Sequence, residues 1–344
     1  MTDTKEFRET TGAEILDAEG RALLSRKINE LALQIQGTRL ETAINQLYRE
    51  LDAAGIAFKP KCYLADEWGC PQGVPVIGIP FYLADPQLCL LECDMTGVEA
   101  ENDAEVMMYL RHEAGHAFNY AYLLHTDPQW RRVFGRYSRP YRDTYKPVPF
   151  STRFVRNIPG WYAQKHPDED FAETFAVLIT PDSNWRERYA RTPAMAKLRH
   201  VEKLIARYGH RPPIVTAETL DTPAEQLEMT LAEWYGESED SEEGGPTLPA
   251  ILDEDLRALF PASEGLPAAD LVRANRAHLV RDINYWTGLE RHVLRSLINA
   301  LLLRVEAMGL KVEPNGAVER LTGLSIFVTT LTMNYLYTNQ FVKA

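Results

Sequence analysis

The chain has 344 residues, 45% hydrophobic, 25% charged and 10% aromatic, a globular composition that excludes global disorder, a fibrous protein and a membrane bundle. Acids outnumber Lys and Arg by 49 to 37, and the net charge of −12 excludes nucleic acid as a bulk partner, because an acidic chain repels phosphate backbones. Four cysteines are too few for a disulfide scaffold, and the opening MTDTKEFRETTGAEILDAEG has no apolar stretch behind a basic start, so a reducing cytoplasmic location is expected.

Residues 20–54 read as helical, with Ile28, Leu31, Ile35, Ile44, Leu47 and Leu51 at three- and four-residue steps and Gly55 closing the run. FKPKCYL (58–64) and VPVIGIPFYL (74–83) are β-rich, punctuated by Pro and Gly. Cys62, Cys70, Cys89 and Cys93 lie close together here. Only the last pair has zinc-ligand spacing, so ordinary thiols are expected. Asn102-Asp103-Ala104-Glu105 resembles a capping box and opens a helix with Val106, Leu110, Ala117, Ala121 and Leu124 on one face. A Pro-, Arg- and Tyr-rich stretch, 128–165, reads as loop with short elements.

Pro167 suits a first helical residue, followed by Asp168, Glu169 and Asp170 in the positively polarised first turn; Pro181 ends that helix. Another covers about 193–208. GESEDSEEGGP (236–246) reads as a flexible acidic linker, and residues 250–344 are almost wholly helical in pattern, with one strongly apolar helix from Ile283 to Leu310. LTGLSIFVTTLTMNYLYTNQF (321–341) has the length of a membrane span but too many polar residues, and a buried helix is expected. The expected divisions are an N-terminal helical segment (1–57), a core (58–215), a linker (216–247) and a C-terminal helical module (248–344). That module is the expected surface for self-association or partner binding.

His112-Glu113-Ala114-Gly115-His116 is an HExxH motif on the predicted 102–124 helix. Side chains at i and i+4 leave one helix face, so both imidazoles reach one ion, with Glu113 beside them to accept a proton from water on it. A third histidine at position 122 with Gly at 119 would mark a metzincin; Tyr122 and Asn119 stand there instead. The third ligand must then be a later carboxylate. Glu169 and Glu173 are themselves i and i+4, so one can bind the ion while the other orients a ligand histidine. Spacing alone does not choose between them. His166, before Pro167, is expected to shape the helix entry, and His125 lies too far along its helix to share the ion.

GWYAQKHPDEDFAETFAVLI (160–179), following HEAGH, resembles the bacterial zinc-binding metallopeptidases with the signature HExGH and then YAxxHPxEDxAETxA. Tyr162, Ala163, His166, Pro167, Glu169, Asp170, Ala172, Glu173, Thr174 and Ala176 fall on that pattern. A looser similarity extends to lethal-factor-type gluzincins. The resemblance covers about residues 58–190, lacks the paired-CxxC ribbon with which those bacterial proteins often begin, and does not extend past residue 215. It implies an α+β, zincin-like core with a small mixed sheet, an HExxH helix and a Glu helix. It also implies one catalytic Zn²⁺ held by His112, His116 and Glu169, with Glu173 behind them. Glu113 is then the general base and Tyr162 a donor to the oxyanion. VIGIPFYL is the strand expected to pair with an extended peptide.

The expected function is a zinc metallopeptidase acting on a peptide or protein. A zinc-binding interaction protein without catalysis and a metal-dependent amidase on a small amide are the alternatives. Between Arg131 and Lys165, nine basic residues stand against Asp143 alone. This segment joins the two ligand helices, so acidic substrates are expected to be favoured, with Arg153 and Arg156 as the candidate contacts.

Overall fold

Residues 18–96, 100–142, 145–240, 248–262 and 264–342 are described by a computed structural model of the chain. In chain order the helices are α1 (Ala18–Leu24), α2 (Arg39–Ala53), α3 (Pro86–Thr96), α4 (Asp103–Ala121), α5 (Pro128–Phe134), α6 (Pro167–Ile179) and α7 (Trp185–Arg188). They continue as α8 (Ala194–Tyr208), α9 (Leu231–Asp240), α10 (Leu252–Leu259), α11 (Ala268–Thr287), α12 (Arg291–Ala307) and α13 (Ala317–Thr338). Strands β1 (Lys61–Ala65) and β2 (Val76–Pro80) form a parallel pair in register Lys61–Val76 to Ala65–Pro80; β3 (Leu266–Pro267) and β4 (Lys311–Val312) make a short antiparallel ribbon. The class is α+β and mostly helical. The expected mixed sheet reduces, among the described residues, to one parallel pair with antiparallel bridges from Gly78 to Gly69 and from Ala65 to Pro223.

The strongest local signals formed the elements that matter most. Asn102 caps α4, its side chain accepting from the Ala104 and Glu105 amides while Glu105 returns to the Asn102 amide. The apolar face of α4 enters a core built with α2, β2 and α6, where Leu40, Leu47, Ile77, Leu110, Phe118, Phe171 and Phe175 are fully buried.

Four expectations change. The 20–54 helix is two helices: Gly37 turns at φ +75° and Thr38 caps α2, accepting from the Leu40 amide. Ile28 leaves for another cluster, with Phe81, Leu88, Leu227, Leu231 and Tyr235. That cluster also shows that residues 224–235, within the expected linker, pack against the core. Residues 236–240 extend α9, and the remaining acidic run, 241–247, lies outside the described residues. The 283–310 helix is broken at Gly288, which takes φ +78° between α11 and α12. Finally, β2 is not an open edge at its middle: Gly78 donates to the Gly69 carbonyl at 2.7 Å and accepts from its amide at 3.3 Å, and Phe81–Ala84 coil into a 3-10 turn.

Helices α10–α13 enclose a second core of Leu256, Val272, Val280, Leu294, Leu297, Leu301 and Val328. α13 buries Leu324, Val328 and Leu331 there, as its polar composition requires, and among the described residues no helix is long and apolar enough to cross a membrane.

Candidate metal centre

Helices α4 and α6 cross at unusually short range because each carries a small residue at the crossing. A Cβ on Gly115 would stand 2.7 Å from the Ala172 Cα. Gly115 lies between the two histidines and Ala172 between the two glutamates, so the close approach brings the four side chains face to face. The start of α6 is fixed independently. His166 caps it, its Nδ1 accepting from the Asp168 amide at 3.1 Å while its Nε2 donates to the Arg139 carbonyl at 2.8 Å. Both ring nitrogens are thereby occupied, as expected for a residue that shapes the helix entry.

Glu169 Oε2 lies 2.9 Å from His112 Nε2 and 3.2 Å from His116 Nε2, and the two Nε2 atoms are 3.1 Å apart. All three residues are buried, and they are the one such group among the described residues that could hold a metal. Ligands about 2.0–2.1 Å from a tetrahedral ion stand about 3.3 Å from one another, so the triangle has the size of a zinc coordination face. The outer nitrogens explain why three acceptors converge. His112 Nδ1 donates to Glu173 Oε1 at 2.9 Å, turning the Nε2 lone pair inward. Glu173 is locked in turn by the Ile158 amide at 3.0 Å, the Asn157 amide at 2.9 Å and the Asn157 side chain at 3.1 Å. Glu169 is thus the inner carboxylate and Glu173 the orienting one, an alternative the spacing had left open.

Asp168 performs the second orientation. Its Oδ2 lies 3.1 Å from His116 Nδ1, within ion-pair reach although not aligned as a hydrogen bond. Asn119 and Tyr120 hold Asp168 at 2.7 Å and 2.5 Å. The sequence reading missed all three, assigning Asp168 to the helix dipole. The usable signal was that Asn119 and Tyr120 follow His116 by three and four residues, on the ligand face of α4. Tyr141 was also missed: from the loop before α6 it donates to the outer oxygen of Glu169 at 2.7 Å and lies 3.3 Å from the Tyr162 hydroxyl.

The electrostatics call for a positive charge at the triangle. Burial opposes a charge on His112, but its hydrogen bonds to Glu169 and Glu173 outweigh burial and raise it to about 9. Burial likewise opposes a charge on His116, and Asp168 and Glu169 outweigh it, raising that imidazole well above its usual range. Glu169, despite burial, is held well below the usual carboxylate range by His116 and His112. Two imidazolium protons, or one divalent cation in their place, satisfy this field, and the donor set suits zinc.

No family model, no curated protein and no solved structure matches this chain. The triangle opens into a cleft of about 650 Å³ lined by Trp68, Glu113, Tyr120, Tyr137, Tyr141 and Tyr162, among others. A hollow of similar size between α2, α8 and the end of α6 contains no such constellation. Glu113 is buried, and burial raises its carboxyl above the usual range; it has no hydrogen-bond partner among the described residues. The Tyr162 ring packs 5.5 Å from that of His112, and burial, Glu169 and Tyr141 hold its hydroxyl in the protonated form. Trp68 is a fixed wall, stacked on Tyr109 at 5.4 Å and donating to Glu101 at 3.2 Å.

The expected arginine contacts do not face this cleft. Arg156 reaches the C-terminal module, donating to the Tyr285 carbonyl at 2.5 Å with its guanidinium over the Trp161 and Tyr285 rings at 4.3 and 4.6 Å. Arg153 is exposed outside the cleft lining. Their place in the basic segment was legible, but the direction of Arg156 was set by Trp161 nearby and by Tyr285, more than a hundred residues away in the chain.

Proposed function

We propose that the chain is a zinc-dependent metallopeptidase with a zincin-like core, in which His112, His116 and Glu169 would hold the ion. The reading rests on one observation: three buried acceptor atoms converge at zinc-sized spacing, and in the cleft beside them is the carboxyl of Glu113, which has no hydrogen-bond partner among the described residues. An ion held there supplies a Lewis acid that activates water and polarises a carbonyl. The remaining work falls to the chain itself. Burial raises Glu113, bringing its affinity for a proton closer to that of a useful base at neutral pH. A Glu113 carboxylate oxygen takes a proton from the attacking water and returns it to the departing amine nitrogen. Tyr162 keeps its proton, so its hydroxyl is available as a donor to the oxygen on which negative charge develops, while Tyr141 holds the outer oxygen of Glu169. Trp68 gives the substrate an apolar wall.

A mixed peptide library incubated with zinc-loaded wild type and Glu113→Gln tests the proposal. The wild type is expected to cleave and the variant to lose roughly 10²–10⁴-fold in rate while keeping its zinc. Zinc in both proteins with cleavage by neither would contradict the peptidase reading and favour a zinc-binding interaction protein. Turnover confined to small amides added to the library would favour the amidase.

A further inference from the structure

The metal cleft has a neighbour. Tyr137 and Ser138 line both that cleft and a second hollow of about 600 Å³, whose walls include His125, Arg131, Arg132 and Arg136. Arg139, one residue past Ser138, lines the metal cleft. Four guanidiniums therefore border these two neighbouring hollows, and none of the four has a carboxylate partner among the described residues. Arg111 pairs with Glu50 at 2.7 Å, Arg291 with Glu105 at 3.3 Å and Arg273 with Asp270 at 2.7 Å, whereas Arg199 and Arg207, like the groove arginines, have no carboxylate partner among the described residues. The helix dipole accounts for Arg131 and Arg132, which stand in the last turn of α5. It does not account for Arg136 and Arg139, which lie beyond the helix. His125 adds a buried Nδ1 with no partner, its ring stacked 4.2 Å from that of Tyr137. The two hollows differ in polarity: carboxylates Glu113, Asp168 and Glu169 line the metal cleft, and Arg131, Arg132 and Arg136 line its neighbour.

We infer that the Arg131–Arg132–Arg136–Arg139 groove docks acidic side chains of a peptide substrate, a few residues away from the scissile bond, and so selects acidic peptides. The inference deepens the peptidase reading and rests on it. Guanidinium forks recognise carboxylates in pairs of hydrogen bonds. A peptide suits the groove better than a nucleic acid, because the −12 net charge opposes a long polyanion while a short acidic segment meets only the local field.

Binding and turnover test it separately. Zinc-loaded Glu113→Gln is titrated with a Glu-rich peptide, its Gln counterpart and an oligothymidylate of equal charge, at low and physiological salt. The Glu-rich peptide is expected to bind roughly tenfold more tightly than the Gln peptide. That advantage should shrink with salt and disappear in the added triple exchange Arg131→Glu, Arg132→Glu, Arg136→Glu. Arg136→Gln alone, a mild change at an exposed residue, should remove up to about fivefold. Equal affinity for the Glu and Gln peptides overturns the inference, as does an oligothymidylate bound as tightly as the Glu peptide. The same peptides with wild type keep the two readings apart. Charge-dependent binding without cleavage retains the groove and contradicts the peptidase; cleavage indifferent to charge does the reverse.

Discussion

Glu173 determines where His112 points, and does so from a position where water cannot substitute for it. Its side chain is fully buried and accepts from two backbone amides, an asparagine and the imidazole. Glu173→Ala leaves those donors unsatisfied and frees the ring, and zinc affinity is expected to fall about 10–100-fold, measured by competition with a chromophoric chelator. Asp168→Asn should weaken binding in the same direction through His116. The metal-free protein carries a second signature. The folded value of His112, about 9, lies above its ordinary 6.5, so its contribution to stability is complete below about pH 6.5 and is lost as pH rises through about 9. Urea midpoints of the metal-free protein should therefore decline over that window, and zinc should abolish the decline by taking the place of the protons. A flat profile without metal would contradict the assignment. At this scale, His112, Glu113, His116, Glu169 and Glu173 were legible because helical spacing places them. Asp168 was hidden because an acid in a first helical turn already has a sufficient local reason to be there. Tyr141 was hidden because a loop has no period from which to read direction.

The elements succeed or fail as frames for these atoms. The α4–α6 crossing depends on the absence of a side chain at Gly115, where a Cβ would meet backbone at 2.7 Å. Gly115→Ala improves local helix propensity by about 1 kcal/mol yet forces the helices apart. The variant is expected to keep its helical circular dichroism while losing at least about tenfold in zinc affinity. Unchanged affinity would show that the crossing can relax without moving Glu169. Asn102→Ala, at the far end of the same helix, should cost about 1 kcal/mol of global stability by removing the cap, with little effect on metal. Both ligand helices were legible at their starts, since capping boxes and Pro167 act locally. The 20–54 run was misread as one helix because Ile28 and Leu31 follow a helical spacing while serving another cluster, alongside Phe81 and Leu231. That partnership spans two hundred residues of sequence and leaves no periodic trace.

In the whole molecule, the two largest hydrophobic cores meet at a junction beside the site. Gly160, two residues before Tyr162, and Gly288, between α11 and α12, both take positive φ, and a Cβ on Gly288 would stand 2.5 Å from the Gly160 Cα. Arg156 and the Arg291–Glu105 pair brace the same junction. Gly288→Ala is expected to separate thermal unfolding into two transitions and to speed proteolysis between the cores. A single unshifted transition would mean the junction carries no energy. The charge balance also changes meaning at this scale: the −12 total conceals an arginine-lined hollow that shares Tyr137 and Ser138 with the metal cleft. The proposed chemistry of the cleft depends on an ion at His112, His116 and Glu169. Native mass spectrometry of the zinc-incubated protein, run beside His116→Ala and Glu169→Ala, measures it directly. The account predicts one tightly held zinc in the wild type and its loss in both variants. A wild type free of zinc, or variants that retain it, would contradict the metal centre.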